Sequence, residues 1–413
     1  MKRLLSSSVS YGAALGPIMA CTIVLQCMGC STNGGSGSNG SGPAPLAAPC
    51  ADAAHCPKLL EYGWDARGPG FVNGHIAEME HLPFDGIIML LTPGSLAFDT
   101  QAWTESSLEQ PIQDVAGTAW DHFTDNFLIL YSAFDDGNPD RAPMEWQNDA
   151  HWQTIQANIA LFSRALADSG SAGMVFDPEP YGRNPWRYDP ASGLAFAGTA
   201  ALVRQRGQQF MSALQTHVSQ PKILVFQLGH YIWQAALAAT EPERQAALEV
   251  HIYGLLPAFM NGLIDVANDG VQIIDGNEAA YWYDEQQDYL DGADFIRGPS
   301  RNLMAPESRA SYDSIIRVGQ AIYMDYVMAA NDSTAGDIPH SMSPEARLRY
   351  AEHNTYWALR TTDEYAWFYS ERMNWWTGDI PAGLENAVRS ARYKARTGAD
   401  LGFDIADDLA APQ

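Results

Sequence analysis

Basic residues are scarce in this chain. Lys and Arg number 24 against 49 Asp and Glu, which gives a formal net charge of −25 over 413 residues. A negative field of this size repels polyanions and anionic membrane surfaces. We therefore predict that neither nucleic acid nor a heavily sulfated glycan is a partner. The alternative is that the charge serves solubility alone.

The motifs of several common reactive groups are also missing. The sequence contains no HExxH zinc motif, no Walker phosphate loop and no GxSxG nucleophile turn. All five cysteines lie within the first 56 residues, so the rest of the chain offers no thiol. We therefore predict no metal and no cofactor.

Charge is absent from residues 9–26, and Lys2 and Arg3 precede this stretch. A short apolar segment behind a basic start is typical of a secretory signal. The tetrapeptide CMGC that ends at Cys30 resembles the lipobox of bacterial lipoproteins. This resemblance implies a signal peptide over residues 1–29, a lipid on Cys30 and a place in the bacterial cell envelope, anchored at the outer membrane or cell surface, or secreted. Cys21 is the alternative lipid site, but it would leave an apolar segment on the mature protein.

Removal of residues 1–29 leaves Cys50 and Cys56 as an unlipidated pair. An oxidising compartment would allow a disulfide between them, and two free thiols are the alternative. Residues 30–57 are rich in Gly, Ser and Pro, which predicts a flexible tether. The folded domain is therefore predicted to span residues 58–413, with the membrane contacted only through the lipid.

Apolar runs alternate with helical patterns from Leu59 onward, which indicates βαβ units and a parallel sheet. The eight predicted strands are Leu59–Trp64, Asp85–Leu91, Asn126–Ala133, Ala172–Asp177, Lys222–Leu228, Gly270–Asp275, Gln320–Val327 and Tyr365–Ser370. Helices are predicted at Asn73–His81, Asp149–Asp168, Leu194–His217, Glu241–Asn268, Glu278–Asp291, Glu307–Val318 and Leu384–Arg396. Eight such units favour a single-domain (β/α)₈ TIM barrel. An open doubly wound sheet would normally carry a Gly-rich phosphate loop after its first strand, and none is present here.

In such a barrel the residues that follow each strand meet at one face. Asp177 and Glu179 follow the fourth strand, Asp275 and Glu278 follow the sixth, and Glu371 follows the eighth. These five carboxylates are the predicted catalytic candidates, because a pair of carboxyl groups can cleave a glycosidic bond. Capping, a structural turn or an ion pair is the alternative role for each.

Aromatic rings follow the same strands, and rings stack on the apolar faces of sugars. The predicted substrate-binding residues are Tyr62, Trp64, Asp65, Tyr181, His230, Asn277, Tyr281, Trp282 and Trp375. Core packing is the alternative for Trp375, and a hydrogen-bonded wall position is the alternative for His230.

The segment around the fourth strand resembles the D-G-x-D-x-D-x-E motif of chitinase-like family 18 glycoside hydrolases. Gly173, Asp177 and Glu179 match that motif, while Ala172 and Val175 stand where it has two further aspartates. The resemblance implies that Glu179 is the acid and that Asp177 steadies the substrate's own N-acetyl group.

Together these observations predict a glycoside hydrolase that acts on a neutral poly- or oligosaccharide. Glu179 is the predicted general acid, with Glu371, Glu278 or Asp275 as the second carboxylate. The alternative is a non-catalytic glycan-binding or scaffold lipoprotein on the same barrel. A polysaccharide lyase is a third possibility, which the scarcity of Lys after the strands disfavours.

Overall fold

Nine parallel strand segments form the centre of the molecule. The computed structural model describes residues 49–52, 55–64, 66–92, 94–134, 142–328 and 342–410. The strands are β1 Lys58–Gly63, β2 Gly86–Leu90, β3 Phe127–Phe134, β4 Gly173–Tyr181, β5 Lys222–Val225, β6 Gln272–Asp275, β7 Ile316–Val318, β8 Gln320–Tyr323 and β9 Tyr365–Ser370. Their order in the sheet is β7-β6-β5-β4-β3-β2-β1-β9-β8, and every pair is parallel.

Gly319 closes this ring. It alone separates β7, which pairs with β6, from β8, which pairs with β9. Its N–H donates to the Asp275 carbonyl at 2.7 Å, and a Cβ there would lie 2.9 Å from the same oxygen. β7 and β8 are therefore two halves of one barrel strand, and the predicted (β/α)₈ fold is confirmed. The predicted helix Glu307–Val318 ends earlier than expected, because residues 316–318 pair with β6 instead.

Helices follow the strands around the outside. They are α1 Pro69–His75, α2 Glu105–Ala116, α3 Asp149–Ser169, α4 Phe196–Leu214, α5 Trp233–Ala236, α6 Glu241–Val250, α7 Leu256–Asp265, α8 Gln286–Arg297, α9 Arg309–Ile315, α10 Pro344–Thr361, α11 Leu384–Thr397 and α12 Ala406–Ala410. Short 3₁₀ turns occupy Ile76–Glu78, Pro190–Ser192, His230–Ile232, Glu278–Trp282, Pro299–Leu303 and Pro306–Ser308.

The sequence pattern missed α2 and α10. Pro111 stands inside α2, and α10 buries the polar side chains His353, Asn354 and Thr355. A proline argues against a helix interior, and buried polar side chains interrupt the apolar stripe by which a helix is recognised in a sequence. No described helix has the length and apolar character needed to cross a membrane.

The amino-terminal end of the barrel is filled by paired charges. Lys58 lies 2.7 Å from Asp125, and Lys222 lies 2.7 Å from Glu364. The Tyr365 hydroxyl donates to Asp125 at 2.6 Å. Burial alone would raise the pKa of Asp125, but the bonds from Lys58 and Tyr365 outweigh it and hold the pKa below its usual range. This end is thereby neutralised.

Rings fill the middle of the barrel. Phe226, just after β5, stacks on Trp367 of β9 with centroids 4.0 Å apart. The Trp367 indole donates to the Gly276 carbonyl at 2.8 Å. The first contact joins strands three places apart in the ring and the second joins strands two places apart, so both cross the interior. The barrel centre is a packed core, as is usual for this fold.

Helices α4 and α7 cross at a pair of glycines. A Cβ on Gly207 would lie 2.2 Å from the Phe259 carbonyl oxygen, and one on Gly262 would lie 2.0 Å from the Arg204 carbonyl oxygen. We expect Gly207→Ala to lower the free energy of unfolding by about 1–3 kcal/mol, because the helices must move apart. Urea denaturation measures this loss.

Gly198 provides a control in the same helix. The nearest atom to a Cβ there is Leu194 Cβ, at 3.8 Å, which is ordinary contact. Gly198→Ala should leave stability unchanged or raise it by up to about 1 kcal/mol, because alanine is the better helix former. Equal effects of the two substitutions would show that α4 and α7 do not need this close approach.

The chain enters the barrel beside a disulfide between Cys50 and Cys56, whose Cα atoms are 5.4 Å apart. The Ala51 N–H donates to the Arg396 carbonyl at 2.7 Å, which ties this loop to the end of α11. Cys30, Cys21, the signal peptide and most of the tether lie outside the described residues.

Candidate active site at the carboxyl ends of the strands

The end of β4 carries two carboxylates in a fixed arrangement. Pro178 and Pro180 have no N–H, so Glu179 supplies the one backbone donor between them, and Asp177 Oδ1 accepts it at 2.8 Å. The Tyr181 hydroxyl donates to Asp177 Oδ2 at 3.1 Å. The pairing with β3 gains one extra residue on β4 here, which is a β-bulge and re-aims the strand end.

Burial raises the pKa values of both acids, and the charge of Glu179 raises that of Asp177 further. Burial, and next the charge of Glu179, raise the pKa of Asp177 to about 8, against the opposing bonds from the Glu179 N–H and Tyr181. Burial also raises the pKa of Glu179, while its hydrogen bond with Tyr181 acts in the opposite direction. Both acids therefore hold protons more tightly than an exposed carboxylate does.

Glu278 joins this pair from the far side of β5. Its N–H donates to the Phe226 carbonyl at 3.1 Å. Burial raises the pKa of Glu278 well above its usual range, the charges of Glu179 and Asp177 raise it further, and a hydrogen bond with Gln227 opposes them. Interactions of this kind require short distances, so the three carboxyl groups share one site.

Asp275 and Asn277 build the turn that presents Glu278. Asp275 has no exposed surface, and its two carboxyl oxygens accept the N–H groups of Gly229 and Asn277, both at 3.1 Å. Burial raises the pKa of Asp275 to about 6 against these two bonds. Asn277 adopts φ of +44°, and its side-chain amide donates to Gln320 Oε1 at 2.8 Å. Both residues support the site from beneath, where substrate has no access to them.

Glu371 stands at the opposite wall, beside a group of tyrosine rings. The Tyr323 hydroxyl donates to Glu371 Oε2 at 2.6 Å. The rings of Tyr281 and Tyr369 stack with centroids 5.6 Å apart, and each lies within 5.5 Å of the Tyr323 ring. We call Tyr281, Tyr323 and Tyr369 the tyrosine wall. Burial raises the pKa of Tyr369, and the nearby charges of Glu371 and Glu278 raise it further, so this wall runs between the two acids.

The other predicted ring residues differ in exposure. Trp64 and Trp282 have 71% and 56% of their surface exposed, so their ring faces are open to a ligand. Tyr62 is buried, and its hydroxyl shares a hydrogen bond with that of Tyr131 at 3.0 Å. Trp375 is buried between Phe84 and Phe368 and donates to Ser370, so it presents no free face to a sugar.

His230 and Asp65 complete the predicted set. The His230 ring lies against Phe295, with centroids 5.3 Å apart, and burial lowers its pKa, so it stays neutral. These ring contacts make it a wall residue. Asp65 falls outside the described residues.

Four further residues reach the site without having been predicted. They are Tyr131, Tyr253, Tyr323 and Tyr369. Burial raises the pKa of Tyr253, and the charges of Glu179 and Glu278 add to this, which places its hydroxyl near both acids. Tyr131, Tyr323 and Tyr369 lie within strands, where a tyrosine in an apolar run is the only sequence signal. Tyr253 lies between α6 and α7, inside what the sequence pattern predicted as one helix.

Within the part of the chain that the structure describes, one group of possible metal ligands lies elsewhere, at Glu80, Asp121 and His122. The Glu80 carboxylate already accepts the N–H groups of Asp121 and His122, both at 2.9 Å, and His122 Nδ1 lies 2.8 Å from it. These bonds give the cluster a structural role in the turn.

No family model and no curated protein matches this sequence. Among solved structures, the chain is similar to a family 5 glycoside hydrolase of Prevotella bryantii B14, at 12% identity and a TM-score of 0.44, covering 84% of this chain and 100% of that one. It is also similar to a broad-specificity endoglucanase from an uncultured bacterium (11% identity, TM-score 0.39, 79% and 84% covered). The family 18 chitinase ChiB of Flavobacterium johnsoniae is a third (9% identity, TM-score 0.34, 82% and 94% covered). Likenesses of this size carry no information about catalysis by this chain.

Proposed function

We propose that the protein is a glycoside hydrolase that acts on a glycan without acidic groups, using Glu278 and Glu179 as its catalytic pair. The observation that carries this proposal is the meeting of Asp177, Glu179 and Glu278 at the ends of β4 and β6, where burial raises the pKa of all three and the charges of Glu179 and Asp177 raise the pKa of Glu278 further. Two carboxyl groups in different protonation states are what glycosidic cleavage needs.

The environments of the two glutamates suggest their roles. The pKa of Glu278 is raised well above its usual range, first by burial and then by the charges of Glu179 and Asp177, so Glu278 keeps its proton to higher pH. Glu179 is steadied in its ionised form by Tyr181. We therefore assign the general acid role to Glu278 and the base or nucleophile role to Glu179, which reverses the assignment made from the sequence. Asp177 holds the Glu179 segment in place through its hydrogen bonds.

The exposed rings fit the same proposal. Trp64, after β1, and Trp282, after β6, lie on different sides of the mouth and offer open apolar faces. Sugar rings can stack there while their hydroxyl groups stay in water. The net charge of −25 disfavours uronic acid and sulfated polymers.

The test is a screen of the purified protein against matched neutral, amino-bearing and acidic polysaccharides, with release of reducing ends as the readout. Hydrolysis of a glycan without acid groups supports the proposal. Binding of glycans with no release of reducing ends would instead support the glycan-binding alternative. Cleavage confined to acidic polymers would contradict the proposal.

Tyr181→Phe should change the pH dependence of hydrolysis. Activity rises on the acidic side as Glu179 ionises, and falls on the alkaline side as Glu278 loses its proton. Loss of the Tyr181 hydroxyl removes a bond that lowers the pKa of Glu179, so that pKa rises. The acidic limb should therefore move to higher pH, by about one unit for the loss of one hydrogen bond to a charged group.

Profiles of kcat/KM against pH for the wild type and Tyr181→Phe measure this shift. Tyr188→Phe is the control, because the Tyr188 hydroxyl donates to the Leu194 carbonyl at 2.7 Å and not to an acid of the site. An unchanged acidic limb in Tyr181→Phe, or an equal shift in both variants, would contradict the role given to Tyr181.

A further inference from the structure

The four carboxyl groups around the mouth lack cationic partners. Asp177, Glu179, Glu278 and Glu371 take part in none of the ion pairs among the described residues, although 18 other pairs of residues there do. The charges that shift the pKa values of the central acids come only from other carboxyl groups. Partly buried carboxylates without a counter-charge are costly, and a bound cation would relieve that cost.

Glu371 is the acid that hydrolysis does not require. Tyr323 holds one of its oxygens, Oε2, at 2.6 Å, and the other has no hydrogen-bond partner among the described residues. Asp325 lies beside it with no exposed surface. Asp325 Oδ1 accepts the N–H groups of Arg372 and Met373, while its Oδ2 has no partner. This corner therefore has one oxygen of Glu371 and one of Asp325 that accept no hydrogen bond from the described residues.

The tyrosine wall is a packed group of rings next to Glu371. Three ring centroids lie 5.2–5.6 Å from one another, and the Trp282 ring lies 6.2 Å from Tyr323. Ring faces attract cations, and aromatic cages closed by a carboxylate bind ammonium groups. Gln227 Oε1, beside Glu278, is another buried acceptor without a partner, so it also favours a ligand that donates hydrogen bonds.

We propose that the glycan carries free amino groups, and that Glu371 and the tyrosine wall bind the ammonium of one sugar unit next to the cleavage site. This inference rests on the proposed hydrolase function and narrows its substrate class from glycans without acidic groups to those that carry free amino groups. An ammonium brings three donors and no acceptor, which matches the acceptors of this corner. N-acetylation removes the positive charge of the amino group and should therefore remove the gain in affinity that this charge provides.

The experiment uses the full chain with Glu278→Gln to stop cleavage. Its probes are β-1,4-linked glucosamine oligomers and α-1,4-linked galactosamine oligomers, each as the free amine and as the fully N-acetylated form. Calorimetry should show tighter binding of a free-amine form, by about tenfold for one charge-assisted contact. Glu371→Gln in this background should abolish the tighter binding of the free amine and leave the affinity for the N-acetylated forms unchanged.

Two controls separate a specific site from general attraction by an acidic protein. Glu109→Gln removes the same charge from the exposed face of α2 and should not change binding. Tyr323→Phe keeps the ring but removes the hydroxyl that holds Glu371, so it should weaken amine binding in the same direction by a smaller factor. It also serves as the second variant if Glu371→Gln does not fold.

The outcomes distinguish this inference from the hydrolase proposal. Equal or tighter binding of the N-acetylated forms, no binding of either form, or equal effects of Glu371→Gln and Glu109→Gln would overturn the inference. Hydrolysis of neutral glycans by the wild type would still stand in those cases. If an amino form binds in a Glu371-dependent way and no glycan is hydrolysed, the amine site is supported and the proposal of a hydrolase is overturned.

Discussion

Replacement of Glu278 by glutamine is expected to lower kcat by about a hundred- to ten-thousand-fold, because an amide cannot give a proton to the leaving oxygen. Glu179→Gln should cause a loss of similar size, since an amide is neither a base nor a nucleophile. KM should change little in either variant, because the rings that bind the sugar remain. The double variant should be little worse than either single one, since the two groups act as a unit.

The two roles can be separated with an activated substrate. An aryl glycoside with a strongly acidic phenol as leaving group needs no proton, so Glu278→Gln should regain most of its activity on it. Glu179→Gln should not, because the attack on the sugar is what it lacks. Initial rates on the natural glycan and on the aryl glycoside of the same sugar measure the difference.

Glu109→Gln, on the exposed face of α2, is the matched control and should keep full activity. Full activity in Glu278→Gln would show that the catalytic pair is wrongly chosen. Rescue of Glu179→Gln, in place of Glu278→Gln, would restore the assignment made from the sequence, in which Glu179 is the acid.

The fourth strand shows what the sequence could predict. Its apolar run is bounded by Gly173 and Pro178, and the acids follow directly, so both the strand and the place of Asp177 and Glu179 could be inferred. The barrel itself followed from repetition of such runs. Each of these inferences uses only residues close together in the chain.

The choice among Glu278, Asp275 and Glu371 could not be made from the sequence. All three follow strands, but Asp275 is enclosed by the N–H groups of its own turn, and Glu371 lies across the tyrosine wall. A catalytic acid differs from a structural one because it lies close to the other acids of the site. That closeness depends on contacts between strands far apart in the chain. Trp375 illustrates the same limit, because only packing shows that this ring and its neighbour Trp376 are both buried.

The seventh barrel strand shows a different limit. The step at Gly319 depends on the Asp275 carbonyl in another strand, so no local pattern indicates that residues 316–318 belong to the sheet. The tyrosines of the site are hidden for a related reason, because Tyr131 and Tyr369 have the strand propensity of apolar residues. Their hydroxyl groups gain a role only when the ring of strands is closed.

Closure of that ring depends on Asp85, which ties the last long helix to the first strands. Asp85 Oδ2 accepts the Leu59 N–H at 2.9 Å, and its carboxylate also pairs with Arg392 and, at 2.9 Å, with Arg396 of α11. Asp85 and Arg392 have 6% and 4% of their surface exposed. Asp85→Asn would therefore remove the carboxylate that these two guanidinium groups share, one of which is buried.

We expect Asp85→Asn to lower the free energy of unfolding by about 3–5 kcal/mol, the usual cost of removing one partner of a buried ion pair. Asp313→Asn is the matched control, because it breaks the exposed pair with Arg301, which should cost no more than about 1 kcal/mol. Urea denaturation of both variants beside the wild type measures the difference. Similar small losses would show that the contact between α11 and the first strands does not hold the barrel closed, and that the mouth owes its shape to the strands alone.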